Sequence, residues 1–281
     1  MRVDLATAPG NPQHPNEDFV SVAVPAAGEG GAAVLLDGVT PPEGDVGCPH
    51  GVPWFTARLG GALLELAASR RDMTLPQALA GAVRRTADAH RETCDLSHPR
   101  TPQATVVAVR WSASEVEYLV LSDSVLLLED TEGRVEAVLD TRLADLPSAL
   151  LAQRDAVRAL AHGSAERAGA AAAYGRAVEA LRNAEGGFFT AAADPAVAAR
   201  AVTGSRPVDD LSAFAALSDG ASRWVEVFHE GDWTDTMALL HRTGPQQLLD
   251  RVRAAEAADA TGTAHPRGKV RDDASALYVR P

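Results

Sequence analysis

The sequence has few cysteines and no long apolar run, and each shortage narrows what the chain can be. Two cysteines in 281 residues, Cys48 and Cys94, are too few for the disulfide framework of a small secreted domain. No stretch approaches the roughly 20 apolar residues that span a bilayer, and the first residues lack the order of a signal peptide. We therefore expect a cytoplasmic protein with no membrane partner.

Positive charge is also scarce. The chain has 26 lysines and arginines against 38 acidic residues, a net charge of −12, and Lys269 is its only lysine. An acidic surface argues against nucleic acid as the main partner and fits a protein that gathers carboxylates around metal. Since 46% of the residues are hydrophobic, a sizeable core can form, and we expect one domain over residues 1–281. The bias toward alanine and arginine is typical of a high-GC bacterial genome.

Hydrophobic patterning predicts strands that come in runs. Apolar or alternating segments predict strands, while capping and i, i+4 patterns predict helices between and after them. The expected order is strands at 19–24 and 32–36, helices from Pro53 and behind the capping box Thr74-Leu75-Pro76-Gln77, a strand meander at 104–139, helices within 147–184, a strand at 214–217, helices within 221–258 and a last strand at 274–279. This order favours an α+β fold of antiparallel sheets with helices outside over a doubly wound parallel sheet.

Acidic residues occur where these strands begin or end. The clusters are Asn16-Glu17-Asp18, Asp37-Gly38, Ser122-Asp123-Ser124, Ser218-Asp219-Gly220 and Arg271-Asp272-Asp273. Mg²⁺ and Mn²⁺ prefer carboxylate and carbonyl oxygens, and carboxylates from separated segments can hold two such ions. Each cluster alone is equally a common turn sequence. Their joint placement is what predicts a metal site.

The ordered set of motifs resembles the PPM family, the type 2C metal-dependent Ser/Thr protein phosphatases. The stretches that carry the resemblance are "NEDF", "LLDGVT", "PQATVVAV", "LSDSVLLL", "ALSDGAS" and "RDDASALYV", in that order from about Asn16 to the end. It implies a divergent bacterial member with a four-layer α-β-β-α sandwich, in which two antiparallel sheets are flanked by helices. The implied reaction is hydrolysis of phosphoserine or phosphothreonine by a metal-activated water, without a covalent intermediate.

The resemblance also implies a role for each acidic position. Asp37 bridges two Mn²⁺ or Mg²⁺ ions, the Gly38 carbonyl and Glu17 bind the second ion, and Asp18 lies behind them. Asp219 and Asp272 bind the first ion, next to Asp273. Asp123 and Asp219 can hold a weaker third ion. By this resemblance the catalytic residues are Asp37, Asp219 and Asp272.

Several positions depart from the family pattern. An arginine that would clamp phosphate is replaced by Gln13, so either another arginine reaches the site, or the affinity for phosphoproteins is low, or the substrate differs. Ser122 stands where the family has glycine, and Asp273 where asparagine is common. The loop after Asp37-Gly38 is also unusual. His14 and His50 are candidate general acids, although a histidine in a loop is commonly just solvated.

Cys48 and His50, with His90, Cys94 and His98, offer ligand types that suit zinc. The helix that carries His90 is expected to end before His98, however, and nothing in the sequence brings Cys48 near. We therefore interpret this set as a buried thiol and surface histidines.

Two other functions stay open beside the phosphoprotein phosphatase. One is a pseudophosphatase, in which the same fold serves as a regulatory binding module, as the missing arginine favours. The other is a phosphatase of a small phosphorylated metabolite, with a pocket shaped by the loop at 41–52. The retained acidic residues argue against the first, and a substrate panel would separate the second.

Overall fold

Two antiparallel β-sheets of five strands each lie in the middle of the computed structural model, which describes residues 1–26, 29–42 and 44–281. The strands are β1 (Arg2–Ala8), β2 (Phe19–Ala23), β3 (Gly31–Leu36), β4 (Val106–Trp111), β5 (Glu115–Leu121), β6 (Val125–Asp130), β7 (Val135–Val138), β8 (Val202–Pro207), β9 (Leu211–Leu217) and β10 (Ala274–Arg280). One sheet has the order β1-β10-β9-β6-β7, and the other has the order β2-β3-β4-β5-β8.

The described ranges also contain seven α-helices. They are α1 (Gly51–Ser69), α2 (Leu75–His90), α3 (Ser148–Ala159), α4 (Ala165–Glu179), α5 (Asp219–Glu226), α6 (Trp233–Thr243) and α7 (Pro245–Ala258). In the part of the chain that the structure describes, no helix is both long enough and apolar enough to cross a membrane.

Three apolar clusters make the layers of the fold. The faces of the two sheets pack on each other through residues such as Leu35, Val107, Phe214 and Leu277. The outer face of the β2–β8 sheet packs on α1 and α2, and the outer face of the other sheet packs on α5, α6 and α7. Every residue of β3 and β4 is buried, as continuous apolar strands between two layers must be. The expected four-layer α-β-β-α sandwich is confirmed.

Local signals located most elements but missed two edge strands. The capping box at Thr74 forms, with the Gln77 amide donating to the Thr74 side chain and the Gln77 side chain accepting from the Thr74 amide. β1 and β8, by contrast, were not expected. Both are edge strands in which most residues are partly or fully exposed, so their hydrophobic signal is weak.

Candidate functional site

The strand register brings the acidic segments to one end of the sandwich. Phe19 of β2 pairs with Leu36 of β3, so Asp18 and Asp37 extend from neighbouring strand ends. In the other sheet Leu217 pairs with both Val125 and Ala276. The segments holding Asp123, Asp219 and Asp272 therefore leave the second sheet at the same level. Antiparallel pairing produces this convergence because the end of one strand lies beside the start of the next.

Asp37 is the most strongly perturbed carboxyl in this group. Its Oδ2 accepts a hydrogen bond from the backbone amide of Asp219, 3.2 Å away, at the first turn of α5. Burial, and then the charges of Asp219 and Asp18, raise the pKa of Asp37 well above its ordinary value. The side chain is held among like charges, and a cation placed among them would restore its ionised form.

Asp18 gives the clearest sign that a cation is needed. Both of its carboxylate oxygens are buried without a hydrogen bond of good geometry from a described residue. Burial raises the pKa of Asp18 to about 7, although the nearby Ser275 and Ser218 hydroxyls oppose this rise. A buried carboxylate with such weak donors costs several kcal/mol unless it is protonated or meets a cation. The oxygen-rich donor set around it fits Mg²⁺ or Mn²⁺.

Close backbone approach around these carboxylates depends on glycine. A Cβ on Gly38 would lie 2.5 Å from the carbonyl oxygen of Glu17. A Cβ on Gly220 would collide with the Asp273 carbonyl oxygen. The glycines after Asp37 and Asp219 thus let neighbouring strand ends pack against each other, which explains the Asp-Gly pairs in physical terms.

Asp273 holds the Glu17 segment in place. Its two carboxylate oxygens accept hydrogen bonds from the backbone amides of Gly10 (2.8 Å) and Glu17 (2.6 Å). The Glu17 side chain accepts a hydrogen bond from the Thr40 hydroxyl, and burial raises the pKa of Glu17. Asp273 is therefore a brace between the start of β10 and the chain before β2.

The turn between β5 and β6 carries Asp123 directly after a residue with a strained backbone, Ser122. Ser122 has φ +69°, in the left-handed region that favours glycine. Its amide donates to Asp140 at 2.8 Å, and its hydroxyl donates to Asp123 at 3.1 Å. These two bonds offset the cost of a serine at this position. Burial raises the pKa of Asp123.

Asp272 forms ion pairs with two basic side chains, Lys269 and Arg223, that the sequence did not assign to the site. One oxygen lies 2.6 Å from Lys269 Nζ, and the other lies 2.8 Å from Arg223 Nη2. Burial opposes the charge of Lys269, but Asp272 and the other carboxylates outweigh it and raise the pKa of Lys269 to about 12. In the described ranges no three acidic side chains bring oxygen atoms within 4.8 Å of one another. A metal ion at Asp272 would have to take an oxygen from these partners.

A cavity of about 600 Å³ contains the acidic site and a set of arginines. Asp37, Asp123, Asp219 and Asp272 line it, with Lys269 and the arginines 154, 158, 182, 223 and 267. Arg154 and Arg158 come from α3, and Arg182 follows α4. Gln13, in contrast, lies in an exposed turn. Guanidinium groups therefore reach the cavity from elements other than the one where the family places its arginine.

The predicted general acids lie elsewhere. His14 is exposed in the turn that its amide closes on the Asn11 carbonyl. Neither His14 nor His50 is among the described residues that line the cavity. A role in protonating a leaving group therefore has no geometric support for either histidine.

The interpretation of the cysteines and histidines as unrelated is wrong. Donor atoms of Cys48, His50, His90 and Cys94 all lie within 4.8 Å of one another. His90 is only 2% exposed, so it is not a surface histidine. His98 lies outside this cysteine–histidine cluster. Because α2 ends at His90, Cys94 lies in the following turn, and the loop before α1 brings Cys48 and His50 against it.

Comparison with solved structures shows which proteins share this fold. A serine/threonine phosphatase Stp1 from Staphylococcus aureus superposes with a TM-score of 0.58 at 12% identity, covering 99% of this chain and 94% of the other. The S. agalactiae serine/threonine phosphatase gives 0.58 at 14%, with 100% and 99% covered. The catalytic domain of PstP in complex with two manganese ions gives 0.54 at 13%, with 99% and 96% covered. No protein-family model and no curated protein sequence matches the chain.

The chain therefore has the fold of bacterial PPM-type serine/threonine phosphatases over nearly its whole length. The resemblance drawn from six short motifs is confirmed at the level of fold. At 12–14% identity the comparisons do not carry the activity or the ligands of those proteins to this chain.

Proposed function

We propose that the chain is a metal-dependent phosphomonoester hydrolase, one phosphatase domain over residues 1–281, that acts on phosphoserine or phosphothreonine. The observation that carries the proposal is the meeting of four predicted carboxylates in one cavity with arginines. Carboxylates alone would suit many metal sites. A site for a phosphate group also needs guanidinium donors beside those carboxylates, and the cavity contains both kinds of side chain.

The ligands of two Mn²⁺ or Mg²⁺ ions would be the residues that the family resemblance predicts. Asp37 would serve both ions, the Gly38 carbonyl and Glu17 one of them, and Asp219 and Asp272 the other. Asp123 with Asp219 would hold a weaker third ion. Bound ions would supply a water of lowered pKa and positive charge for the phosphoryl oxygens. Asp18 and Asp273 support these ligands from behind, Asp273 through its bonds to the backbone at Gly10 and Glu17.

The arginines would hold the phosphate of the substrate. The Nε of Arg182 is buried and has no hydrogen-bond partner among the described residues. Burial lowers the pKa of Arg182 and of Arg158, which also lines the cavity. Unsatisfied donors facing a cavity bind an anion well, because the dianion repays their desolvation.

A generic phosphatase assay with metal analysis tests the proposal. Hydrolysis of p-nitrophenyl phosphate should require Mn²⁺ or Mg²⁺ and stop when a chelator is added. Turnover that resists chelation, or absence of turnover with either ion, would contradict it. Panels of phosphopeptides and phosphorylated metabolites would then decide between a phosphoprotein and a small-molecule substrate.

The second candidate is a binding module without hydrolysis, and the ion pairs of Asp272 favour it. Lys269 and Arg223 satisfy both oxygens of a predicted metal ligand. If these pairs outcompete Mn²⁺, calorimetry will detect no metal binding at millimolar concentrations, while phosphopeptide binding persists.

A further inference from the structure

We propose that Cys48, His50, His90 and Cys94 form a structural Zn²⁺ site, separate from the acidic cavity. The sulfur atoms of Cys48 and Cys94 are 3.1 Å apart, so they are close without being bonded. Cys48 Sγ lies 3.6 Å from His50 Nδ1 and 3.5 Å from His90 Nδ1, and Cys94 Sγ lies 3.3 Å from His50 Nδ1.

The sulfur–nitrogen distances match the edges of a zinc tetrahedron, whereas the two sulfurs are closer than such an edge. With Zn–S bonds of about 2.3 Å and Zn–N bonds of about 2.0–2.1 Å, a sulfur and a nitrogen ligand are about 3.5 Å apart and two sulfurs about 3.8 Å. The three sulfur–nitrogen distances lie within about 0.3 Å of that value. Only a small opening of the two sulfurs is needed to admit the ion.

The chemistry of the donors selects the metal. Two thiolates and two imidazoles in a tetrahedral arrangement are typical of zinc, whereas Mg²⁺ and Mn²⁺ prefer the oxygen donors of the acidic site. Four protein ligands leave no open position for water, which marks a structural site and not a catalytic one. Binding of the ion releases the two thiol protons to solvent.

Burial, packing against Trp54 and a backbone hydrogen bond hold the four ligands close together. Cys48 and His90 are 7% and 2% exposed. The Trp54 ring packs on both histidines, with ring centroids 4.4 Å from His50 and 5.1 Å from His90. The Asp95 amide donates to the Gly47 carbonyl at 2.8 Å, which joins the same two segments beside the cluster. Both imidazole rings are therefore oriented before any metal binds.

The site would tie the loop that leaves the acidic cavity to the helix layer. That loop runs from Gly38 to the start of α1, and Cys48 and His50 lie at its far end. His90 ends α2, and Cys94 follows it. Zinc would fix the start of α1 to the end of α2 and so limit the movement of the loop next to Gly38.

Metal analysis of the full chain tests the proposal. We expect protein purified under reducing conditions to contain one zinc per chain, and Cys94→Ser and His50→Ala to lose it. His98→Ala, a neighbouring histidine outside the cluster, should retain it. Asp219→Asn should also retain it, which separates this ion from any metal in the acidic cavity.

Cobalt substitution of the wild-type chain provides a readout that does not depend on variants folding. Co²⁺ should give the strong visible bands of a tetrahedral ion and a thiolate charge-transfer band. Wild-type protein that takes up no Zn²⁺ or Co²⁺ from stoichiometric solution under reducing conditions would overturn the proposal. So would zinc that persists in folded Cys94→Ser, zinc that is lost in Asp219→Asn, or a Cys48–Cys94 disulfide in place of the metal.

Discussion

The acidic cavity and the cysteine–histidine cluster are built in opposite ways. The first gathers the oxygen donors of Asp37, Asp123, Asp219 and Asp272 from four chain segments at the ends of both sheets. The second gathers sulfur and nitrogen donors from two segments at the ends of two helices. In the acidic cavity burial, together with like charges, raises the pKa of Asp37 and Asp272, whereas the second cluster holds sulfur and nitrogen atoms in close contact. The difference teaches that, under the two proposals above, ligand chemistry alone would keep two kinds of metal apart in one chain.

Removal of one carboxylate from the acidic cavity is expected to have the largest effect on turnover. Asp219→Asn should lower the kcat for p-nitrophenyl phosphate by about 10³-fold or more, as loss of a metal ligand and its charge does. The circular dichroism spectrum should stay unchanged. Near wild-type turnover in this variant would remove the acidic cavity as the active site.

Removing a phosphate-binding arginine should have a smaller effect and appear in KM. Arg158→Ala should raise the KM by about tenfold, because a charge-assisted hydrogen bond contributes about 1.5–3 kcal/mol. Arg176→Ala, an exposed arginine on α4 outside the cavity lining, is the matched control. Equal KM values for the two variants would show that the arginines lining the cavity do not contact substrate.

The cysteine–histidine cluster should affect stability more than turnover. Cys48→Ser should lower the Tm by about 5–10 °C, since loss of a few kcal/mol shifts the Tm of a domain of this size by that amount. Its kcat with Mn²⁺ should stay within a few-fold of wild type. Differential scanning calorimetry and the phosphatase assay together check this prediction; a large loss of kcat at unchanged Tm would contradict it.

The two clusters should also respond to pH with opposite signs. The pKa of Asp18 is about 7 in the folded chain and about 3.9 when unfolded. Without divalent ions its contribution is therefore fully present below pH 4, and is lost as the pH rises toward 7, by up to about 1.4 kcal/mol per pH unit. Zinc binding instead strengthens as the thiols ionise.

Urea unfolding between pH 5 and 8 without Mn²⁺ or Mg²⁺ measures the first effect. Asp18→Asn should flatten the slope, and added Mn²⁺ should reverse it. A slope that is unchanged in Asp18→Asn would show that this carboxyl is not the group that titrates.

The smallest expected effect concerns the ion pairs of Asp272. Lys269→Met removes a positive charge 2.6 Å from a predicted metal ligand, so Mn²⁺ should bind a few-fold more tightly. Isothermal titration calorimetry provides the measurement. Weaker binding would mean that Lys269 supports the metal ligands and does not compete with the ion.

The sequence predicted that the acidic positions converge because their signals are local. Asp37, Asp123 and Asp219 lie at strand ends beside glycine or serine, and antiparallel pairing then brings the ends together. The order of six such motifs predicted the fold, although the overall identity to solved relatives is only 12–14%.

The cysteine–histidine cluster, and the arginines and Lys269 that line the cavity, were not predictable in the same way. His50 and His90 are 40 residues apart, and only the packing of α1 on α2 brings them together. The helix that carries His90 was expected to end before His98, and α2 does end at His90, but nothing in the sequence brought Cys48 near Cys94. Lys269 was visible as the sole lysine, yet no periodic pattern placed it beside Asp272.

That single lysine has a practical consequence. Amine-directed reagents can meet only two targets in this sequence, the N-terminal amine and Lys269. While Asp272 holds it, a pKa of about 12 keeps the Lys269 amine protonated and poorly nucleophilic. A cation that takes Asp272 frees the amine, which then acylates faster. The rate at which Lys269 is labelled, followed by mass spectrometry without any substrate, would thus show whether Asp272 is paired with Lys269 or with another cation.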